Sequence, residues 1–244
     1  MNIKMNFNKK SLPIDLLICN TLDFKTAFKT IEYNSNFFNF NKKIILSNSD
    51  EKINGYEIIN IGKFKSIQDY SDFMPRLIEF SSSDYLLLIQ DDGYIVNHNN
   101  WNDEFLNFDY IGAPWPSSKR WIKRFKKYEY YDIVKTNIKK NRVGNGGFSL
   151  RSKKFLEYCS KFNNCNNVPE DIFFCLLNYE LAQKSGIKFA DYETAYKFSA
   201  EHSFSRHFNK HPKKSINIDP RYHFGWHGKR SKNYEDLMGL KYNI

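Results

Sequence analysis

Residues 84–93 read DYLLLIQDDG, an apolar run that passes directly into two aspartates and a glycine. Such a run predicts a strand over residues 84–90 that is buried on both faces of a sheet. Ligands of open α/β sheets bind beyond the carboxyl ends of the strands, where a carboxylate can hold a divalent cation that bridges diphosphate oxygens. Asp91 and Asp92 are therefore candidate binding residues. The alternative is a plain turn, because Asp and Gly both suit turns.

Outward from this strand, the chain alternates between strand and helix patterns. Towards the amino terminus, the patterns predict strands at residues 14–19 (IDLLIC), 43–46 (KIIL) and 57–61 (EIINI), a helix around 24–31 and an amphipathic helix from Ser66. Towards the carboxyl terminus, they predict a strand that enters the loop DYIGAPWP (109–116), a glycine-rich approach to a strand over 143–150, and helices over 151–162 and from Pro169. The alternation indicates an α/β fold.

No repeat or low-complexity linker divides the 244 residues, so we expect one domain over residues 1–244. Residues 117–142 form a distinct zone in which basic and aromatic residues interleave. We expect this zone to be an insertion that acts as a mobile flap. A solvated basic helix is the alternative.

The chain carries 37 Lys and Arg against 27 Asp and Glu, a net charge of +10 that indicates an anionic partner or, in part, codon bias. Hydrophobic residues make up 41% of the sequence, which excludes a disordered chain. The four cysteines form no CxxC pair, so we expect reduced thiols in a cytosolic protein; zinc bound by Cys159, Cys165 and a distant histidine is the alternative. No apolar run is long enough to span a bilayer, and the first ten residues lack the apolar core of a signal peptide.

Three further motifs carry candidate chemistry. Residues 143–152 (VGNGGFSLRS) hold three glycines within four residues, which permits a close approach of backbone to ligand; a β-bulge or tight hairpin is the alternative. Glu170 and Asp171 follow Pro169 at a helix start, where they act either as plain caps or as a general base for an attacking hydroxyl. His227 lies between glycines in FGWHG (224–228), which suggests a loop pressed against another part of the molecule. The histidines that accompany it in the sequence are His202, His207, His211 and His223.

Taken together, QDDG, DYIGAPWP, VGNGGFSLRS, PED and FGWHG occur in an order and at a spacing that resemble a family of bacterial and fungal proteins of unknown function. That family has a GT-A glycosyltransferase-like fold, and the resemblance runs from about residue 14 to residue 228. It implies a single GT-A-like, Rossmann-like domain with a central mixed sheet flanked by helices. The glycine segment followed by an acidic pair is also similar to inverting galactosyl- and N-acetylglucosaminyl-type transferases.

The resemblance implies roles for individual residues. Asp92 matches the acid of a metal-binding D-x-D element, and His227 matches a late histidine that completes the metal sphere. The chain departs from the family at Gln90, which stands where a first Asp would be, and at Asp91, where the family usually has Trp. Asp171, with Glu170 as second choice, takes the position of the catalytic base. The residues implied in donor or acceptor binding are Asn20, Thr21, Gln90, Asp91, Trp115, Gly146 and Gly147.

These roles imply a glycosyltransferase that moves a sugar from a UDP- or GDP-linked donor to a glycan or lipid-linked acceptor. The reaction would be inverting and would use Mn²⁺ or Mg²⁺ as cofactor. The implied setting is bacterial surface polysaccharide biosynthesis, in the cytoplasm or peripheral to the inner membrane. There the basic residues 117–142 would close over donor phosphates or contact an anionic membrane.

Three other functions fit parts of the sequence. A metal-dependent phosphotransferase or hydrolase would use the same aspartates and histidine. A non-catalytic sugar-binding relative would be consistent with the departures at Gln90 and Asp91. A nucleic-acid-binding protein would use the basic and aromatic residues, but no DNA- or RNA-binding motif is present, so we expect no nucleic-acid partner.

Overall fold

A computed structural model describes residues 9–201 and 223–228. Its strands are β1 (Ser11–Leu12), β2 (Ile14–Cys19), β3 (Asn39–Phe40), β4 (Lys43–Ser47), β5 (Glu57–Asn60), β6 (Tyr85–Ile89), β7 (Gly93–Ile95), β8 (Tyr110–Gly112), β9 (Phe148–Ser152), β10 (Ser199–Glu201) and β11 (Gly225–His227). Its α-helices are α1 (Phe24–Asn34), α2 (Ile67–Phe73), α3 (Lys119–Lys123), α4 (Tyr131–Asn137), α5 (Lys153–Cys159), α6 (Glu170–Ile172), α7 (Tyr179–Lys184) and α8 (Tyr192–Phe198). Short 3₁₀ segments lie at Met74–Glu79, His98–Asn100 and Asp103–Asn107, and a π-helical segment spans Phe173–Leu177.

Six strands form the central sheet, in the order β5-β4-β2-β6-β9-β8. The first four are parallel, whereas β9 runs antiparallel to both β6 and β8. The carboxyl ends of β2 and β6 therefore lie at the same edge as the amino end of β9. Because Ile89 pairs with Phe148, Gln90 lies beside Gly147, and the Gln90 N–H donates to the Gly147 carbonyl at 2.8 Å. The predicted α/β architecture with a central mixed sheet is confirmed.

The strands at the centre of this sheet are buried on both faces, so their alternate residues enter two different hydrophobic cores. Leu16, Ile18 and Leu87 enter the core that α1 covers. Leu17 and Leu88 enter the core on the opposite face, which is covered by residues of the segment Met74–Glu79. Burying each such side chain stabilises the fold by about 1.5–3 kcal/mol, which is why these strands read as continuous apolar runs.

A second, smaller sheet joins distant parts of the chain. β11 pairs in parallel with β10 and antiparallel with β7, so it lies between them. In this register His227 lies opposite Glu201 on one side and Gly93 on the other. The small sheet thereby brings His227 to the turn that follows β6.

The strands predicted at 14–19, 43–46, 57–61 and 84–90 occur with ends that differ by at most one residue. The helix predicted from Ser66 has a capping box, in which the Ser66 Oγ accepts from the Asp69 N–H at 3.1 Å and the Asp69 carboxylate accepts from the Ser66 N–H at 3.2 Å. Pro75 then falls in the 3₁₀ segment rather than in α2, because proline has no N–H to donate within a helix.

Two helices differ from the prediction. The helix expected over 151–162 begins only at Lys153, because Arg151 and Ser152 continue β9 and the Ser152 side chain caps the helix that follows. The helix expected from Pro169 is interrupted after α6 by the π-helical segment, and a regular helix resumes only with α7. A π-helical insertion of this kind is often found at a functional site.

The basic zone 117–142 contains α3 and α4. Trp121, Val134 and Ile138 anchor it in the main core, while most of its lysines and arginines are exposed. Its interpretation as an insertion in one domain stays a prediction. The four cysteines are buried and have free thiols. Within the described residues, no helix combines the length and the apolarity that crossing a membrane requires.

Asp15, in β2, joins this strand to the segment 81–83 that precedes β6. Its buried carboxylate accepts hydrogen bonds from the Ser81 and Ser83 hydroxyls and from the Ser82 and Ser83 N–H groups, at 2.7–3.1 Å. We expect Asp15→Ala to lower the free energy of unfolding by about 3 kcal/mol, because four donors, among them those of the buried Ser83, lose a charged acceptor. Urea denaturation measures this loss.

The matched control is Asp84→Ala, which removes an exposed carboxylate directly before β6. It should change the free energy of unfolding by less than about 0.5 kcal/mol. Equal losses in the two variants would contradict a structural role for the Asp15 hydrogen bonds.

Candidate active site

A cleft of about 200 Å³ opens at the carboxyl end of β6. Its walls are formed by α2, by the segments that follow β6 and precede β9, by α6 and by the small sheet. Of the residues predicted from the sequence, those that line it are Gln90, Gly146, Gly147, Glu170, Asp171 and His227. The cleft therefore combines residues of four motifs that are far apart in the sequence.

The QDDG motif forms a hydrogen-bonded turn, in which the Gly93 N–H donates to the Gln90 carbonyl at 2.9 Å. The turn also directs two side chains at one histidine. His227 Nε2 lies 3.0 Å from Gln90 Oε1 and 3.1 Å from Asp92 Oδ1. The plain turn and the binding site, posed as alternatives for this motif, are thus compatible.

Gln90 is oriented by a second contact. Its Nε2 donates to the hydroxyl of Tyr70 at 3.1 Å, which leaves Oε1 to face His227. Burial raises the pKa of Tyr70, so this hydroxyl stays neutral. The amide therefore links α2 to the small sheet across the floor of the cleft.

His227 is surrounded by acidic groups. Besides Asp92, it faces Glu201, whose Oε1 lies 4.0 Å from Nδ1. Burial disfavours the charged imidazolium, but the hydrogen bond to Asp92 and the charges of Asp92, Glu201 and Asp171 outweigh it and raise the pKa of His227. Within the part of the chain that the structure describes, Nδ1 is buried and has no hydrogen-bond partner.

The glycines at 146 and 147 are required by close approach. A Cβ on Gly147 would lie 2.0 Å from His227 Nε2, and a Cβ on Gly146 would lie 2.2 Å from Glu170 Oε1. Both distances are far below van der Waals contact. The glycine segment therefore allows protein side chains, and not only a ligand, to pack against the backbone.

Glu170 is held in a buried ion pair. Its Oε1 accepts from Arg151 Nη2 at 3.0 Å, and the two side chains are 6% and 1% exposed. The Nε atom of the same guanidinium donates to the Ser149 hydroxyl at 3.1 Å. This carboxylate is already bound to a guanidinium, which makes it the less suitable of the two predicted bases.

Asp171 is the other predicted base, in the first turn of α6. It is partly buried and lines the cleft, and its Oδ1 accepts from the Ile172 N–H at 2.7 Å. Burial raises its pKa, and repulsion from Glu170 and Glu201 adds to this effect, so that the pKa reaches about 7. A carboxylate with such a pKa can both accept and release a proton near neutral pH.

Four predicted binding residues are not among those that line the cleft. The Asn20 side chain accepts from the N–H groups of Leu22 and Asp23, and the buried Thr21 hydroxyl accepts from the Phe64 N–H. The Asp91 backbone carbonyl accepts hydrogen bonds from the hydroxyls of Thr30 and Tyr94. The fourth residue is Trp115.

Trp115 requires a correction. Its side chain is 3% exposed and fills the space in which a Cβ on Gly144 would lie. It stacks at a tilt on Trp121, with 5.8 Å between the ring centroids. We therefore remove Trp115 from the candidate binding residues and assign it to packing behind the glycine segment.

The structure adds site residues that the sequence did not reveal. Tyr70 lies in an amphipathic pattern that reads as core, and Glu201 belongs to no motif. Arg151 stands in the glycine-rich motif, but no sequence signal links it to Glu170. Of the histidines near the end of the chain, His223 is buried against Tyr196, while His202, His207 and His211 lie outside the described residues.

The donors around His227 fit a divalent cation that takes further ligands from its substrate. Asp92 offers a carboxylate, Gln90 an amide oxygen and His227 an imidazole nitrogen, and Mg²⁺ or Mn²⁺ commonly adds phosphate oxygens to so few protein ligands. Residues 9–201 and 223–228 contain no group of three or more His, Cys, Asp or Glu side chains that could hold a metal ion. Metal binding would need His227 neutral, with its proton on Nδ1, the atom that faces Glu201.

Gly147→Ala tests the packing of His227. The added methyl group would displace the imidazole and break its contacts with Gln90 and Asp92. We expect the His227 ring signals in ¹H–¹⁵N spectra to shift, and any activity that depends on the cleft to fall about 100-fold, as it does when a site residue moves by about 1 Å.

His98, which packs on Phe37 outside the cleft, is the internal control in the same spectra. Its signals should stay in place. Unchanged His227 signals in the variant would contradict the close contact with Gly147.

Two solved structures of glycosyltransferases share the fold over nearly the whole chain. The first is a glycosyltransferase involved in the glycosylation of the major capsid of PBCV-1, with a TM-score of 0.51 and 14% identity over 93% of this chain and 98% of that one. The second is the galactosyltransferase LgtC in complex with donor and acceptor sugar analogs, with a TM-score of 0.50 and 11% identity over 94% and 97%. These likenesses show that the chain has a GT-A fold.

A third solved structure, the bifunctional IspDF from Campylobacter jejuni, has a TM-score of 0.46 and 12% identity over 72% of this chain. The chain spans 48% of the length of that protein. No curated protein matches the sequence. Residues 55–215 match the family described as "Protein of unknown function (DUF5672)". Because this match covers more than half of the chain, the protein belongs to the DUF5672 family.

Proposed function

We propose that the protein is a glycosyltransferase that moves a sugar from a nucleotide-sugar donor to a hydroxyl of an acceptor, with inversion at the anomeric carbon. The observation that carries this proposal is Asp171, a carboxylate in the cleft with a pKa of about 7. It shares the cleft with His227, which contacts Asp92 at the end of β6. One side of the site thus offers a base, and the other offers groups suited to a diphosphate.

The chemistry needs a base because a sugar hydroxyl is a weak nucleophile. Asp171 would take the proton of the acceptor hydroxyl as its oxygen attacks the anomeric carbon, while the bond to the diphosphate breaks on the opposite face. One displacement of this kind inverts the anomeric centre. The pKa of Asp171 also sets the pH dependence, because only the ionised form accepts a proton: transfer should fall as pH drops below about 7.

Asp92, His227 and Gln90 would hold a Mn²⁺ or Mg²⁺ ion. When bound, such an ion neutralises negative charge on the diphosphate leaving group. Two further residues position these ligands. Tyr70 orients Gln90, and Gly147 leaves the space in which the His227 ring lies.

The polar groups at the end of β6 support a donor that carries a diphosphate. UDP- and GDP-linked sugars are the donors to compare, and a glycan or lipid-linked hydroxyl is the acceptor. The motif resemblance supports surface polysaccharide assembly in the cytoplasm as the setting. Transfer to lipid-linked glycan acceptors, but not to water alone, would support this setting over a hydrolase.

Asp171→Asn is the central test of the proposal. We expect it to lower transfer from the active nucleotide-sugar by 10²–10⁴-fold, because the amide accepts no proton. The increase in melting temperature that the nucleotide-sugar causes should persist, because the residues proposed to bind the diphosphate, Gln90, Asp92 and His227, are unchanged. The measurements are a transfer assay with Mn²⁺ and a thermal-shift series over UDP- and GDP-sugars.

The matched control is Asp84→Asn, which changes an exposed carboxylate directly before β6 and should keep wild-type transfer. Wild-type transfer in Asp171→Asn would remove this residue from the role of base. If no nucleotide-sugar raises the melting temperature of the unmodified protein, the proposed function is wrong; a shift without transfer indicates a binding protein.

The basic zone supports a peripheral membrane contact for a lipid-linked acceptor. Residues 117–142 hold ten of the 37 Lys and Arg residues but only two acidic residues. Tyr128 and Ile133 are 40% and 46% exposed beside these cations. Exposed cations with aromatic and aliphatic side chains among them suit the surface of an anionic membrane.

Charge reversal tests this contact. Changing Lys123, Arg124, Lys126 and Lys127 to Glu should abolish sedimentation with vesicles that contain phosphatidylglycerol, because each cation contributes about 1 kcal/mol at such a surface. The control reverses four exposed lysines elsewhere, Lys25, Lys29, Lys52 and Lys63, and should retain more vesicle binding. Equal sedimentation of all three proteins would remove the membrane contact.

A further inference from the structure

Arg151 lies beneath the cleft in a buried polar network that the proposed reaction does not use. Its guanidinium donates to Glu170 at 3.0 Å and to the Ser149 hydroxyl at 3.1 Å, and it lies 5.5 Å from the centre of the Tyr110 ring. The four side chains are at most 6% exposed. Removing a charged pair from water this completely costs free energy, so stability alone does not account for it.

The network contacts the glycine segment at two points. The Ser149 hydroxyl donates to the Gly146 carbonyl at 3.0 Å, and the Tyr110 hydroxyl donates to the Gly144 carbonyl at 2.7 Å. Both of these side chains also touch Arg151. The backbone of the segment is therefore fixed by groups that surround one guanidinium.

The same guanidinium fixes the start of α6. Glu170, which it binds, directly precedes Asp171 in the chain, and its Oε1 lies where a Cβ on Gly146 would be. The glycine segment, the ion pair and Asp171 thus form one packed unit. The Gly147 end of this unit contacts His227.

We propose that Arg151 and Glu170 are positioning residues that hold Asp171 against the glycine segment and keep a negative charge beside it. This inference rests on the proposed function, because it assigns the pair a task for the acceptor base. In this arrangement Glu170 acts through Asp171 and does not touch the acceptor.

The charges around Asp171 support this role. It faces Glu170 on its own helix, Arg151 from β9, Glu201 from β10 and the His227 ring from β11. After burial, Glu170 is the strongest influence that raises the pKa of Asp171, and Arg151 opposes it more weakly. Loss of the Glu170 charge should therefore let Asp171 ionise at lower pH.

Two substitutions separate position from charge. Glu170→Gln keeps an oxygen that accepts from Arg151 but loses the charge; we expect the acidic limb of the pH–rate profile to move about 1 pH unit lower. Glu170→Ala also loses the hydrogen bond, and we expect kcat to fall at least tenfold with KM for the donor little changed. The control, Glu157→Gln, changes an exposed carboxylate on α5 and should leave both quantities unaltered.

A second measurement needs no substrate. The pKa of Asp171 is about 7 in the folded protein and about 4 in the unfolded chain. Between these values the folded state keeps a proton that the unfolded chain has lost, so stability falls as pH rises through this window and is then constant. Asp171→Asn removes the fall, and Glu170→Gln should make it end about 1 pH unit lower.

The two measurements distinguish the failure of this inference from that of the proposed function. If the free energy of unfolding falls over the same pH range in Glu170→Gln as in wild type, the inference is wrong, whether or not transfer occurs. If Glu170→Gln moves this pH range but the wild-type protein shows no transfer activity, the coupling of Glu170 to Asp171 is supported and the proposed function is wrong. If Glu170→Gln does not fold, Arg151→Met combined with Glu170→Gln removes both buried charges, and an unmoved window in that protein also overturns the inference.

Discussion

The candidate site depends on the backbone of Gly146 and Gly147, because neither residue has a side chain to keep neighbouring groups away. Where β6 ends, the Gln90 N–H binds the Gly147 carbonyl, and the space on the other side of the glycines is filled by His227 and Glu170. A side chain at either glycine would separate the end of β6 from the small sheet or from α6. The glycines thus hold together three parts of the chain that share no secondary structure.

Charge is distributed unevenly in this protein. The chain as a whole has a net charge of +10, yet carboxylates predominate in and beside the cleft, where Asp92, Glu170, Asp171 and Glu201 outnumber Arg151 and His227. An anionic diphosphate would be repelled by four ionised carboxylates. The ion pair at Glu170 and the raised pKa of Asp171 each reduce this repulsion. This balance of charge is compatible with the anionic donor that the proposed function requires.

The strands were predictable because buried parallel strands require continuous apolar runs, and a run such as IDLLIC has few other interpretations. The glycines, Asp171 and His227 could be singled out because close approach and a helix start leave local marks on the sequence, and the structure brings them to one cleft; their chemical roles stay predictions. Glu201 and Arg151 were not, because their roles come from pairing across the sheets: Glu201 meets His227 only through strand register, and Arg151 meets Glu170 only through packing. Trp115 was implied as a binding residue by the resemblance alone, and its packing against Gly144 and Trp121 is likewise set by tertiary contacts that the sequence does not show.

The small sheet has a consequence for how the protein is made. β7, β10 and β11 pair only with one another among the described strands, and β11 lies near the end of the 244-residue sequence. Every strand of the six-stranded sheet leaves the ribosome before β11 does, and chains begin to fold while they are still being synthesised. The nascent protein can therefore complete its central sheet before β11 has emerged, and the His227 imidazole that lines the cleft is added to the scaffold afterwards. In this order of synthesis, the candidate site is assembled on a central sheet whose strands have all been made.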